Sequence, residues 1–245
     1  MKRLSRFLPS ARIPLHQADD HYELLHHRFA MRMFRDHAPT VRLYATNHAV
    51  GQYDISGTFR RVPSSWRFVI IELPAPEDTA GGAGGKEWLP PWAERSIVDD
   101  HTNFLREVRP FEVEPTTLVD RRTQQTSLAK YLLEVEADGD DRGAAEALYE
   151  QIAEQVTASD AFGLRLAVQN RALREAEMAP VTEPGQAYTG RYLDSTTMVG
   201  IDELYFDHRD WAEECFRGLA PVLRPQPGVR IRLHAVEELV GVDRR

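Results

Sequence analysis

Histidine is concentrated in one short stretch of this 245-residue chain, since four of its nine histidines lie in residues 19–39, DDHYELLHHRFAMRMFRDHAP. The apolar residues of the stretch recur at helical spacing, which predicts an amphipathic helix. Its core stripe is predicted to consist of Tyr22, Leu25, Phe29 and Met33. On the same projection His26 lies within this stripe, whereas His21 and His27 point sideways or outward. A buried neutral imidazole can take or give a proton near physiological pH, so His26 is a candidate general acid or base.

A second helix repeats this arrangement in SIVDDHTNFLREV, residues 96–108. Its apolar stripe is predicted to consist of Ile97, Phe104 and Val108, and His101 stands between them. Two helices packed on one sheet face would present His26 and His101 to the same space. Two interpretations stay open, because the histidines can form a catalytic pair or can each bond a backbone carbonyl in the core. Seven of the nine histidines precede residue 123, which favours a single site in the N-terminal half.

Four further residues are candidates for contact with a substrate: Tyr22, Tyr44, Asn47 and Tyr53. Strand alternation in TVRLYATNHAV, residues 40–50, predicts that Asn47 faces the helices and that Tyr44 faces the barrel seam or its end. Tyr53 follows in the next connection. Tyr22 stands four residues before His26, on the same face of the helix. Asn47 and Tyr53 would orient a substrate by donating hydrogen bonds.

Other chemistries find little support in the sequence. A single cysteine, Cys215, excludes an internal disulfide and a cysteine-rich metal site, and it suits a cytoplasmic location. The histidines show no HxxxH or HExxH spacing, so we predict no metal. A formal charge of −8 without a basic stripe argues against nucleic-acid binding. No apolar run approaches the roughly 20 residues of a membrane span, so we predict no membrane partner.

The chain repeats itself at an offset of 123 residues. The matches between segments 40–50 and 163–173 are Arg42/Arg165, Leu43/Leu166, Asn47/Asn170 and Ala49/Ala172. We therefore predict two domains, residues 1–122 with the site and residues 123–245 as a structural copy. Each half has the ferredoxin-like order β-α-β-β-α-β, and the helices of the second half are predicted at 143–156 and 209–219. The predicted fold class is α+β, with two tandem ferredoxin-like βαββαβ domains whose uncovered sheet faces pack together as an intramolecular α+β barrel.

One connection is long and rich in glycine and proline, PAPEDTAGGAGGKEWLPP at residues 74–91. Its composition predicts a surface loop, with a disordered insertion and a lid as the two interpretations. The glycine cluster lacks the GxxxxGK[ST] and GxGxxG spacings, so it does not predict a phosphate-binding loop.

Two motifs resemble a known family. HYELLHH at residues 21–27 is similar to a first-helix signature with an aromatic residue four positions before a histidine, and VGIDELYFDHRDWAEE at 199–214 is similar to a third-strand corner. Together they resemble the EthD-like branch of the dimeric α+β barrel superfamily. The resemblance implies a cofactor-independent oxygenase, cyclase or isomerase acting on a small hydrophobic, aromatic or polyketide-like substrate between sheet and helices. It also implies a homodimer.

Under this resemblance His26 and His101 are the expected catalytic residues. Two alternatives stay open. The same pocket could bind a small hydrophobic molecule without chemistry. A haem-binding barrel of the chlorite-dismutase type would need an axial histidine in the second half, where only His208 and His234 are available.

Overall fold

The computed structural model describes residues 1–54, 60–62, 67–74, 89–123, 128–139, 142–176, 196–224 and 226–245. The strands are β1 (Lys2–Pro9), β2 (Leu43–Asp54), β3 (Arg60–Val62), β4 (Arg67–Glu72), β5 (Leu105–Asp120), β6 (Ala129–Ala137), β7 (Leu164–Glu175), β8 (Thr197–Phe206) and β9 (Val229–Asp243). The helices are α1 (Leu15–Asp20), α2 (His27–His37), α3 (Pro91–Phe104), α4 (Arg142–Ala158) and α5 (Arg209–Leu219). A π-helical turn, His21–His26, joins α1 to α2 in one continuous helix. Most of the predicted loop 74–91 lies outside the described residues.

Eight strands close into an antiparallel barrel in the order β2-β4-β1-β5-β7-β8-β6-β9, where β9 pairs again with β2. The three-residue strand β3 pairs with β2. Closure pairs the backbone of both outer strands, so the barrel has no free edge. The predicted closed α+β barrel is confirmed. Within the described ranges, no helix combines the length and apolar character that crossing a membrane requires.

The two halves of the chain contribute equally to the barrel. Apart from β3, each half has the order strand, helix, strand, strand, helix, strand. The two seams between the halves are reciprocal, because β2 pairs with β9 and β7 pairs with β5. In each half the helices pack on the outer face of the strands and form a separate apolar core.

The barrel interior carries an apolar layer between ionic layers. The apolar layer includes Leu4, Phe68, Phe111, Leu132 and Ile201. On one side of it, Nη1 of Arg6 donates hydrogen bonds to Oε1 of Glu134 (3.2 Å) and Oε1 of Glu136 (2.7 Å). On the other side, Glu203 accepts a hydrogen bond from Lys2. In these contacts the cations, Arg6 and Lys2, belong to the first half and the carboxylates belong to the second, so buried ion pairs join the two halves.

The second half has a buried polar pair of its own beneath α4. Tyr149, which the repeat aligns with His26, is fully buried, and its hydroxyl donates a hydrogen bond to Oδ1 of Asp202. The backbone N–H of Asn170 donates to the same oxygen at 3.1 Å. The tip of the Tyr149 ring occupies the space that a Cβ at Gly200 would need. The second half therefore carries an inward polar side chain at the position that the repeat aligns with His26.

Asp202 makes the stability of the fold depend on pH. Burial raises the pKa of Asp202 to about 7, although the hydrogen bonds from Tyr149 and Asn170 act in the opposite direction. The folded chain keeps this proton over a pH range in which the unfolded chain, with the ordinary pKa of 3.8, has lost it. We expect Asp202 to lower the free energy of unfolding by roughly 4 kcal/mol as the pH rises from about 4 to about 8.

Urea unfolding of the wild type and of Asp202→Asn across this pH range measures the effect. Asparagine keeps the acceptor oxygen for Tyr149 and carries no proton that titrates. Burial lowers the pKa of His26 and of His101, which gives the opposite pH trend, so the readout is the difference between the two proteins. Parallel stability profiles would show that Asp202 is already ionised in the folded chain.

Candidate functional site

The π-helical turn decides which side chains of the histidine-rich helix face inward. Its i→i+5 hydrogen bonds accommodate more residues per turn than an α-helix does, so the projection used for a regular helix no longer applies. Leu25, which the sequence places in the core, is 59% exposed, and His27, which the sequence places outside, is buried. Tyr22 and His26 are both buried, and their rings stack with centroids 5.8 Å apart.

His26 is held by a carboxylate from α3. Its Nδ1 lies 2.8 Å from Oδ2 of Asp100. The other oxygen, Oδ1, lies 3.0 Å from Nε2 of His21 and accepts a hydrogen bond from Nδ2 of Asn103, also at 3.0 Å. Because these contacts fix the carboxylate from the opposite side, Asp100 can set both the orientation and the tautomer of His26.

The charge states of this pair follow from its surroundings. Burial raises the pKa of Asp100, but the hydrogen bond that His26 donates, together with the charge of that imidazole when it is protonated, lowers it by more, so the pKa stays well below its usual range. Burial lowers the pKa of His26, and the hydrogen bond to Asp100 opposes that shift only in part. At neutral pH the pair is therefore an ionised carboxylate and a neutral imidazole. Since a carboxylate only accepts hydrogen bonds, the His26 proton lies on Nδ1 and Nε2 presents a lone pair.

His101 brings a second imidazole beside the first. Its ring centroid lies 4.8 Å from that of His26, and the edge contacts to Phe7 (5.3 Å) and Phe104 (6.1 Å) enclose it in aromatic carbon. Burial, and then the proximity of His26, place the pKa of His101 well below its ordinary value. His101 is therefore neutral at physiological pH, and its ring can offer a ligand a hydrogen bond but no charge.

Both imidazoles line a cavity of about 50 Å³ between the helices and the sheet. Its apolar walls include Phe7, Ala30, Phe34, Val69, Ile71 and Leu89. A cavity that holds a benzene ring has roughly 150 Å³. The resting cavity therefore accepts only a few heavy atoms, and a ring can enter only when wall side chains move.

Tyr44 adds a hydroxyl group to this site. Its ring lines the cavity, packs on Phe34 with centroids 4.5 Å apart and lies nearly parallel to His27 at 5.7 Å. The hydroxyl is buried and forms no hydrogen bond with the described part of the chain. Burial raises the pKa of Tyr44 well above its usual value, so the group remains a donor. A buried donor without a partner costs about 1–3 kcal/mol, which a ligand oxygen would relieve.

Two of the predicted substrate contacts lie elsewhere. The residues that alternate with Tyr44 on β2, Leu43 and Ala45, belong to the barrel interior, and Asn47 shares their face. The prediction that Asn47 faces the helices and Tyr44 the seam is therefore reversed. Tyr53 packs in the core of the second half and donates a hydrogen bond to Oε1 of Glu213 at 3.2 Å. Of the four predicted substrate contacts, Tyr44 lines the cavity beside His26, whereas Tyr22, Asn47 and Tyr53 do not.

The histidines of the second half do not fit an axial haem ligand. His234 is fully buried in the barrel interior, and its Nε2 lies 2.7 Å from Oε2 of Glu134. His208 caps the exposed N-terminus of α5, where its Nδ1 accepts a hydrogen bond from the backbone N–H of Asp210. Among the residues whose structure is described, no three or more His, Cys, Asp or Glu side chains are arranged to hold a metal ion.

A larger cleft of about 470 Å³ opens at one end of the barrel, and its lining includes Lys130, Tyr205 and Glu238. Lys130 forms ion pairs with Glu238 and with Glu203 (2.9 Å to Oε2) and lies 5.0 Å from the centroid of the Tyr205 ring. Its ammonium group is therefore satisfied by neighbouring side chains. A ligand in this cleft would compete with these partners for Lys130, whereas a ligand in the cavity beside His26 could accept a hydrogen bond from the Tyr44 hydroxyl, which has no partner in the described part of the chain.

No protein-family model and no curated protein matches this sequence. An anthrone oxidase-like protein has 11% sequence identity and a TM-score of 0.49 over 100% of this chain and 94% of that chain. A provisionally assigned monooxygenase of Lactobacillus acidophilus NCFM has 11% identity and a TM-score of 0.44 over 99% of this chain and 95% of that chain. Another provisionally assigned monooxygenase, from Fusobacterium nucleatum subsp. nucleatum ATCC 25586, has 7% identity and a TM-score of 0.45 over 96% of this chain and 91% of that chain. Likeness at this level does not assign an activity.

Proposed function

We propose that this chain is a cofactor-independent enzyme, an oxygenase, cyclase or isomerase, that acts on a small hydrophobic, aromatic or polyketide-like substrate in the cavity of its N-terminal half. The observation that carries the proposal is the 2.8 Å contact between Asp100 and His26, because it leaves Nε2 of a neutral imidazole unprotonated beside an apolar cavity. Even a small number of polar groups acts strongly on a bound molecule when the surroundings are apolar.

Proton abstraction is the step that the proposed residues perform. Nε2 of His26 takes a proton from an acidic C–H or O–H group, and Asp100 stabilises the imidazolium that forms. The substrate oxygen that gains negative charge accepts a hydrogen bond from Tyr44, and His101 donates a second. Tyr22 holds the His26 ring by stacking on it. Isomerisation, cyclisation and reaction with dioxygen can all begin with this step, so one site serves any of the three.

A second candidate function is binding of a small hydrophobic molecule without chemistry. The lowered pKa of His26 favours it, because an imidazole with a lower pKa is a weaker base. In that case the cavity, with its apolar walls and the Tyr44 hydroxyl, would hold the molecule without changing it.

Deuterium exchange into 2-indanone separates the two functions. The acidic CH₂ groups of this compound lie between a carbonyl and an aromatic ring, so any site that abstracts a proton from such a carbon exchanges it with solvent deuterium. We expect the wild type to accelerate exchange, measured by NMR in D₂O, and His26→Ala to lower that acceleration by about 10²–10⁴-fold.

His37→Ala is the matched control, because His37 lies on the same continuous helix with its side chain exposed. We expect it to exchange 2-indanone at the wild-type rate. Equal rates for the wild type and His26→Ala would remove His26 from the chemistry. Saturable binding of 2-indanone without accelerated exchange would favour the binding function.

We further propose that residues 1–122 and 123–245 are copies of one ferredoxin-like unit, arranged in tandem, and that the chain is an EthD-like member of the dimeric α+β barrel superfamily. The 123-residue repeat, the shared element order and the reciprocal seams support the duplication. The EthD-like motifs support the family and, through it, a homodimer of chains. In this proposal the first copy carries the site.

A further inference from the structure

Gly241 belongs to the second half of the chain but packs against the cavity wall of the first. Tyr44 pairs with Val242, and the next residue of β2 pairs with Val240, so Gly241 is the extra residue of a β-bulge. A Cβ on Gly241 would lie 2.8 Å from Cδ1 of Tyr44 and 3.3 Å from Cε1 of His27. Carbon atoms pack at about 3.5 Å or more, so there is no room for a side chain unless Tyr44 moves.

Backbone conformation does not account for this glycine. In the described part of the chain, the glycines with positive φ are Gly139, Gly163 and Gly228. Gly241 is not among them, so a positive φ does not explain why this position holds a glycine. The constraint at this position is the space that the Tyr44 ring occupies.

The Tyr44 ring can yield in one direction. His27 stacks on it at 5.7 Å, and Phe34 packs on it at 4.5 Å. Both of these neighbours are themselves buried. On another side the ring borders the cavity, which is empty space. A side chain at position 241 would therefore push the ring into the cavity.

We propose that Gly241 is a specificity-determining residue of the N-terminal site, because the absence of a side chain there holds Tyr44 back and sets the size of the hydrophobic ligand that the cavity admits. The proposal rests on the proposed function, since that function assigns the cavity to a substrate. It also means that the second half of the chain contributes to the site, because Gly241 lies on β9.

Crystal structures of the wild type and Gly241→Ala test the first step without any ligand. We expect the Tyr44 ring to move toward His26 by about 0.5 Å or more, which restores van der Waals contact, and the cavity to shrink. Gly218→Ala is the matched control, because Gly218 lies on α5 and a Cβ there would meet nothing within 4 Å. A Tyr44 ring that stays in place, or that moves away from the cavity, would overturn the proposal.

Calorimetric titration with phenol and 1-naphthol tests the second step. In Gly241→Ala we expect the affinity for 1-naphthol to fall about tenfold or more relative to that for phenol, and Tyr44→Leu in the same chain to remove this difference. A loss that persists with Tyr44→Leu would mean that residue 241 does not act through Tyr44, and the proposal would fail. If the wild type binds neither probe, the proposed function loses its ligand site, and the crystal structures still decide whether Gly241 positions Tyr44.

Discussion

Replacing Arg6 with methionine is expected to lower the free energy of unfolding by about 3–5 kcal/mol. Arg6 is 1% exposed, and its Nη1 donates hydrogen bonds to Glu134 and Glu136, both fully buried. Methionine fills similar space but leaves the two carboxylates inside the barrel without this cation. Their remaining partners include His234 for Glu134 and Arg232 and Thr196 for Glu136, and these compensate only part of the lost charge.

Urea unfolding at neutral pH measures this loss, and Arg142→Met provides the control. Arg142 forms a hydrogen bond of 2.6 Å with Glu146 on α4, but its side chain is 45% exposed. An exposed pair of this kind contributes about 1 kcal/mol or less. Equal, small losses in both variants would show that the ion pairs inside the barrel do not hold the two halves together.

Replacing Asp100 with asparagine is expected to slow the His26-dependent exchange of 2-indanone by about 10²–10⁴-fold. The two side chains have nearly the same shape, so the cavity keeps its form. An amide N–H can donate to Nδ1 of His26, which moves the imidazole proton to Nε2 and blocks the base. The fall in rate therefore comes from the tautomer and not from a change in packing.

Asp99→Asn makes the same chemical change one residue earlier on α3, and it is expected to leave the exchange rate unchanged. The measurement is again NMR detection of deuterium in 2-indanone, with each variant checked for wild-type thermal stability. A wild-type rate in Asp100→Asn would mean that Asp100 does not control the protonation of His26.

The order of the elements could be predicted because long periodic segments each specify their own element. The predicted helix at 209–219 coincides with α5, and the one at 143–156 lies within α4, Arg142–Ala158. The short strand β3 has three residues, too few for a periodicity to develop. Closure of the barrel could be predicted from the repeat, because two sheets with one bare face each must bury those faces.

The orientation of individual side chains was harder to predict, for two physical reasons. A helical projection assumes a regular α-helix, and the π-helical turn at His21–His26 breaks that regularity, which exposes Leu25 and buries His27. In β2 both faces are buried, one by helices and one by the barrel interior, so alternation does not tell which face is which. That ambiguity produced the reversed assignment of Tyr44 and Asn47.

The ionic interior gave no signal that sequence patterns could reveal. Arg6 and its partner Glu134 are 128 residues apart, and in the sequence each reads as a charged position on the solvent face of a strand. Asp100 could have been found, because it lies three residues after Ile97 and four before Phe104, on the helix face that also holds His101. The role of Gly241 depends on a contact between the two halves that only the folded chain brings about.

The proposed chemistry requires that Asp100 holds His26 neutral, with its proton on Nδ1, beside an apolar cavity. Nitrogen-15 NMR of the His26 imidazole in the wild type, recorded from about pH 5 to pH 8, reports this protonation state. We expect a protonated Nδ1, an unprotonated Nε2 and a pKa below the ordinary 6.5. A His26 ring that carries its proton on Nε2, or that titrates at or above 6.5, would contradict it.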